Sequence, residues 1–255
     1  MSSSPALAGT IDRRLLINYR VDADVLARFL PPPFRPQLVG GAGVAGICMI
    51  RLARLRPAGL PEAVGLTTEN AAHRVAVEWD GPDGPGHGVY IPRRDTASRL
   101  TVVLGGKLFP GEHHRAHFGV REARGRYEAA FASADGTARV AVAAELAPGL
   151  PPGSVFGSLP EASAFFEAGR LGYSATRRPG RFEGLELCCG TWRIEPLLVD
   201  RAESSFFGDE SVFPAGSAEL DSAFVMRDIP ATWRARGVLR DARQPALGTQ
   251  DSPCA

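Results

Sequence analysis

The chain has 255 residues, 44% of them hydrophobic, and a formal net charge of +1. That length holds one large domain or two small ones with a sizeable core. The near-zero charge excludes the strong field of a protein that gathers nucleic acid or anionic membrane.

Residues 1–10 are small and polar and are expected to fray. Residues 15–20 read as a strand. Asp22 is placed to cap a short helix with Val25, Leu26, Phe29 and Leu30 on one face, and Pro31-Pro32-Pro33 stops it. Residues 44–55 form an apolar run suited to a buried strand. Residues 66–79 alternate in part and end at the turn DGPDGPG. Residues 88–91 form a short strand, and Asp95 or Thr96 can cap a helix over 97–104. Strands are expected at 117–120, 126–134 and 140–146, the last two joined by ASADGT as an antiparallel hairpin. A short helix follows at 161–168, then a loop-like segment over 170–184. Further strands are expected at 185–194, 197–206 and 218–226. The Arg-, Pro- and Gly-rich residues 236–255 read as a disordered tail. Residues 11–235 then make a single domain.

Many strands, few short helices and no βαβ rhythm imply a mainly β (α+β) fold with an antiparallel sheet closed as a cone or barrel. The centre of such a sheet is a natural ligand cavity. Cys48, Cys188, Cys189 and Cys254 lack zinc spacing and read as small buried side chains. The first residues lack a signal-peptide pattern, and no apolar run reaches the ~18 residues of a membrane span. A reduced, cytoplasmic protein without membrane or nucleic-acid partners is expected. No nucleotide, haem, flavin or iron–sulfur motif is visible, so no cofactor is expected.

Residues 90–118 concentrate the chemistry. They hold Lys107, the single lysine of the chain, and His113, His114 and His117, three of its five histidines. Lysine is an amine nucleophile where arginine is not. His113 and His114 suit acid/base work near neutral pH, or are solvated loop residues. Glu112 with these histidines has no diagnostic metal spacing, and no metal site is expected. Glu69 and His73 share one strand face; Glu69 is then an acid/base carboxylate, or the partner of an inward arginine such as Arg13 or Arg20. Arg93-Arg94 suit a carboxylate or phosphate, or are a solvated pair.

The segment NYRVDADVLARFLPPPFRP (18–36) resembles the opening of the acetoacetate decarboxylase superfamily. GLTTENAAHRVAVEW and GVYIPRRDTASRLTVVLGGKLFPGEHHRA resemble its Thr/Ser-Glu strand and the strand–helix–turn block before its Pro-Lys-Lys element. Residues 165–174, 184–197 and 219–233 are similar to the YqjF-like side branch, and the resemblance spans about 12–233. It implies the β-cone fold, a small carbonyl or oxo-acid ligand, and lyase- or isomerase-type chemistry; a homo-oligomer is implied by resemblance alone. In the decarboxylases a lysine of the Pro-Lys-Lys element forms a Schiff base, and His113-His114 stand where that lysine pair falls. Imidazole forms no stable imine, so the expected catalytic set is His113, His114 and Glu69. The alternatives are Schiff-base chemistry moved to Lys107 and a binding protein without catalysis. Arg13 falls near the family's pocket arginine, and Arg20, His73, Tyr90, Arg94 and Glu112 complete the expected ligand contacts.

Overall fold

The computed structural model describes residues 6–81, 84–104 and 110–241. In chain order the elements are β1 (Ala6–Val21), α1 (Ala23–Phe29), β2 (Arg35–Pro36), β3 (Leu38–Val39), β4 (Ala42–Pro57), β5 (Leu66–Gly81), β6 (Gly84–Thr96) and α2 (Arg99–Leu104). They continue with β7 (His113–Ala123), β8 (Arg126–Ser133), β9 (Arg139–Leu146), α3 (Leu159–Ala168), β10 (Leu171–Ala175), β11 (Arg181–Cys189), β12 (Glu195–Ser204) and β13 (Ala218–Arg240). The fold is mostly β, among the described residues one large mixed sheet with three short α-helices. Among the described residues no helix is long and apolar enough to cross a membrane.

Local signals explain the helices. Asp22 accepts hydrogen bonds from the backbone N–H groups of Asp24 and Val25, which caps α1. Ser158 does the same for Glu161 at the start of α3. β8 and β9 form the expected hairpin.

The sheet curls back on itself along two circuits. One runs β6-β7-β8-β9-β12-β13-β1-β4-β5 and returns to β6 through the β5–β6 pairing. The other runs β13-β1-β4-β5-β6-β10-β11 and returns to β13 through β11–β13. The strands β13, β1, β4, β5 and β6 belong to both, so they form a shared wall with an interior on each face. Successive side chains of the wall alternate between the two interiors. Leu15, Ile17, Ile47, Met49, Val75 and Val225 enter one core. Leu16, Val44, Cys48, Ala76, Phe224 and Met226 enter the other. Each buried aliphatic or aromatic side chain contributes about 1.5–3 kcal/mol to folding.

Three expectations change. The sheet is not wholly antiparallel: β6 pairs in parallel with β7 and with β10. The β6–β7 pair is joined through α2, because parallel neighbours need a crossover connection that a hairpin cannot supply. Segment 170–184, expected as a loop, contains β10 and the start of β11. It lacks an apolar run because Gly172 lies against Ile91, where a Cβ would come within 2.9 Å of Ile91 Cδ1. The ordered strands also reach beyond the expected domain limits. β1 begins at Ala6, paired to Arg234, and β13 runs to Arg240, paired to Arg181, because backbone pairing there outweighs composition. Residues 1–5 and 242–255 lie outside the described residues.

Candidate functional site

A cavity of about 150 Å³ opens inside the second circuit. A cavity of that size holds a ligand of benzene-like dimensions. Cross-strand registers bring its wall together. Leu16 on β1 faces Cys48 on β4, Cys48 faces Ala72 on β5, Ala72 faces Arg94 on β6, and Arg94 faces His113 on β7. One row along, Arg14 faces Ile50, and Ile50 faces Asn70. On the other side Asn18 faces Gly46, which faces Arg74, and Arg74 reaches across that glycine to donate to Asn18 Oδ1.

Arg14, Arg74 and Arg94 all line this cavity, and among the described residues none of them forms an ion pair. Their oriented contacts are to neutral groups. Arg14 Nε donates to Cys48 Sγ at 3.2 Å and Nη1 to Met226 Sδ at 3.6 Å, and the guanidinium sits 5.7 Å from the Trp192 ring centre. Arg74, only 4% exposed, lies 4.9 Å over the Phe166 ring, and its Nε has no hydrogen-bond partner among the described residues. Arg94 Nε donates to Ser174 Oγ at 2.9 Å. Burial lowers the Arg74 and Arg94 guanidiniums to about 10, so both stay charged at neutral pH. The acidic residue of the wall, Asp95, gives its carboxylate to Arg93 in a two-point bond at 2.9 Å. Arg170, also at the wall, faces Glu186.

His113 lines the same cavity. Burial, then the nearby Arg94 charge, pushes its imidazole down to about 3, so it is neutral at physiological pH. Its Nε2 lies 3.2 Å from the Pro110 carbonyl. A carbonyl only accepts, so this contact is made by Nε2 as a donor.

Several expected site residues lie elsewhere. His114 projects from the opposite face of β7, with Nδ1 3.0 Å from Asp135 Oδ2. It cannot share the cavity with His113, because successive strand residues alternate faces. Glu69 is on the far side of the wall, bonded to Arg13 Nη2 at 2.6 Å. Of the two readings of Glu69, the ion pair is the one present, and Glu69 does not approach His113. Arg13, 1% exposed, also bonds Glu122 at 2.7 Å, and Arg51 joins the cluster through Glu122 and Asp12. Arg14, one residue further on, is the β1 arginine of the cavity. His73 is fully buried among Phe131, Phe206 and Phe207, and among the described residues neither ring nitrogen has a hydrogen-bond partner. Tyr90 packs between Phe34 and Phe182 in that same first core. Arg20 bonds Glu219 at the surface. Glu112 faces Arg177 in a shallow surface depression beside His113. Arg94 lines the cavity, while Lys107 lies outside the described residues. His117 is exposed, and among the described residues no group of acids, cysteines and histidines is arranged to hold a metal.

Arg14, Arg74, Asn18 and Cys48 were not anticipated. Their one sequence signal is an arginine set inside an apolar strand, as in RRLLIN and HRVAV.

The family model of DUF2071, described as an uncharacterized conserved protein, matches residues 9–207. The chain belongs to the DUF2071 family. No curated protein matches this DUF2071 chain in sequence. Among solved structures it is similar to the enduracididine biosynthesis enzyme MppR in complex with pyruvate, with TM-score 0.57 and 14% identity, covering 94% of this chain and 92% of that one. It is also similar to an acetoacetate decarboxylase-like enzyme from Sphingomonas wittichii RW1, with TM-score 0.55 and 11% identity over 94% and 93% of the chains. Acetoacetate decarboxylase from Legionella pneumophila gives TM-score 0.58 and 12% identity over 94% and 89%. The acetoacetate decarboxylase-like fold expected from the sequence is therefore the fold of this DUF2071 chain.

Proposed function

We propose that this DUF2071 protein binds a small oxo acid in the arginine cavity and moves a proton at the carbon beside its carbonyl. The observation that carries the reading is the set of three cavity guanidiniums that have no carboxylate partner among the described residues, beside a neutral histidine. Guanidinium forks bind carboxylates in two-point fashion. In the proposed step the C–H electron pair stays on the substrate as an enolate and the proton passes to the His113 imidazole. A cavity guanidinium stabilises the enolate oxygen. A bound carboxylate offsets the Arg94 charge, the second cause of the low His113 value after burial, and so makes the imidazole a stronger base than in the empty cavity. Returning the proton elsewhere gives isomerase-type chemistry; expelling a leaving group gives a lyase. The pyruvate held by the structural neighbour MppR is in keeping with such a ligand.

The test is proton exchange. In D₂O, the protein should accelerate deuteration of the pyruvate methyl group, read by NMR, and His113→Gln should lose that acceleration. Binding without exchange would make the protein a carrier. Exchange undiminished in His113→Gln would place the base elsewhere.

A second reading, imine formation at Lys107, is favoured by one observation. Thr101 and Pro110, which bracket Lys107 in sequence, both line the cavity. Borohydride trapping of an oxo acid, read by intact mass with Lys107→Ala as control, decides it. A lysine-dependent adduct supports imine chemistry, and its absence removes it for the acids tried.

A further inference from the structure

We infer that the ligand of this cavity is a dianion, an oxo-dicarboxylate of four or five carbons, with its two carboxylates shared among Arg14, Arg74 and Arg94. The inference rests on the oxo-acid reading above and narrows its substrate class.

The argument begins from paired arginines that are neighbours in sequence. Arg13 and Arg93 point to the first interior and each has two carboxylate partners, Glu69 with Glu122 and Asp95 with Asp135. Arg14 and Arg94 point to the second interior, and neither has a carboxylate partner among the described residues. Arg74 repeats the pattern beside neutral His73. A low-dielectric site tolerates an uncompensated cation poorly, and that is why the first interior supplies carboxylates. In the second, the wall offers sulfur, amide, hydroxyl and aromatic groups. These aim each guanidinium without cancelling its charge.

Charge counting then selects among acids. A monocarboxylate leaves two of the three guanidiniums uncompensated, whereas a dicarboxylate leaves one. The orphaned Arg74 Nε marks an unfilled donor at the wall. A volume of about 150 Å³ admits a short chain between two carboxylates and excludes a nucleotide-sized polyanion. Asn70 accepts from Thr96 Oγ1 at 2.8 Å and donates from Nδ2 to the Thr68 carbonyl at 3.1 Å; it lies on the same wall, and the second Nδ2 hydrogen is the one an oxo oxygen would take.

Calorimetric titration of the full chain with pyruvate, 2-oxoglutarate, succinate and inorganic phosphate tests this. Expected is 2-oxoglutarate binding roughly 10- to 100-fold tighter than pyruvate, the gain of one further charge-assisted contact. Arg74→Met and Arg94→Met should reduce that preference, with folding checked by circular dichroism. The wild-type comparison stands even if a variant fails to fold. Pyruvate binding as tightly as 2-oxoglutarate would overturn the dianion and leave the oxo-acid reading intact. Phosphate binding while both oxo acids fail would overturn both. Succinate matching 2-oxoglutarate would support the dianion while removing any need for the oxo group.

Discussion

The two faces of the shared wall are made from the same strands and obey opposite electrostatic rules. On the first face every buried arginine is answered by carboxylates, and the rest is aromatic and aliphatic packing, as in the Tyr19–Phe207 stack at 4.1 Å. On the second, three arginines sit around an open volume and, among the described residues, none of them forms an ion pair. The first face is arranged for stability. The second keeps three charges without carboxylate partners among the described residues, which under the proposed function is the common compromise between folding and activity. Adjacent residues differ in role because strand geometry sends them to different interiors.

The contrast is broken or sharpened by substitution. Arg13→Met should cost about 3–5 kcal/mol in urea denaturation, because it removes the buried cation of the cluster and leaves Glu69 and Glu122 with Arg51 alone. Arg14→Met, next door, should cost nothing or stabilise. Equal losses at both positions would erase the distinction between the faces.

Acid should expose the next largest effect. Burial, then Arg93, holds His73 at about 3, below the ordinary imidazole value. The unfolded state therefore binds a proton that the folded state does not, and stability falls as pH drops from about 6.5 toward 3. The loss from His73 alone is on the order of 3 kcal/mol at pH 4. His113 acts in the same direction. His73→Phe, which places an apolar ring beside Phe131 and Phe206, should flatten part of the pH dependence of the melting temperature. An unchanged slope would mean that His73 finds a proton acceptor on acidification.

Arg74→Met should raise stability by about 1 kcal/mol while weakening oxo-acid binding, since it removes a buried charge that has no carboxylate partner among the described residues. A destabilised variant would show that stacking on Phe166 outweighs the charge. The smallest effect is expected at the surface. Arg227→Ala, which breaks an exposed pair with Glu195 at 2.7 Å, should change stability by less than about 1 kcal/mol.

Much of the architecture was legible from residues. Asp22 and its cap, the apolar run of β4, and the β8–β9 hairpin follow from local chemistry, and the decarboxylase-like fold follows from short motifs along the chain. The site was less legible for a physical reason. Both faces of the wall are buried, so alternation of apolar and polar residues cannot say which face holds the cavity. Arg13 and Arg14 look equivalent in RRLLIN, and the irregular β1–β4 register between Ile11 and Arg13 cannot be read from composition. Glu69 and His73 were correctly placed on one face, yet that face is the filled one. Cys48 read as a small apolar residue, and its role as acceptor for Arg14 depends on a strand brought in from elsewhere. β10 was missed because its glycine is needed for close packing against β6.

The pairing of β1 with β13 matters during synthesis. Ala6 meets Arg234, so the first strand leaves the ribosome long before its partner exists. At about 5–20 residues per second, the nascent chain carries an unpaired β1 edge for some ten seconds or more. Neither circuit can close in that interval, since β13 belongs to both. The cavity therefore forms only after translation has delivered β13. A stalled nascent chain ending at β12 should remain open to protease, and resistance there would show that β1 finds a temporary partner.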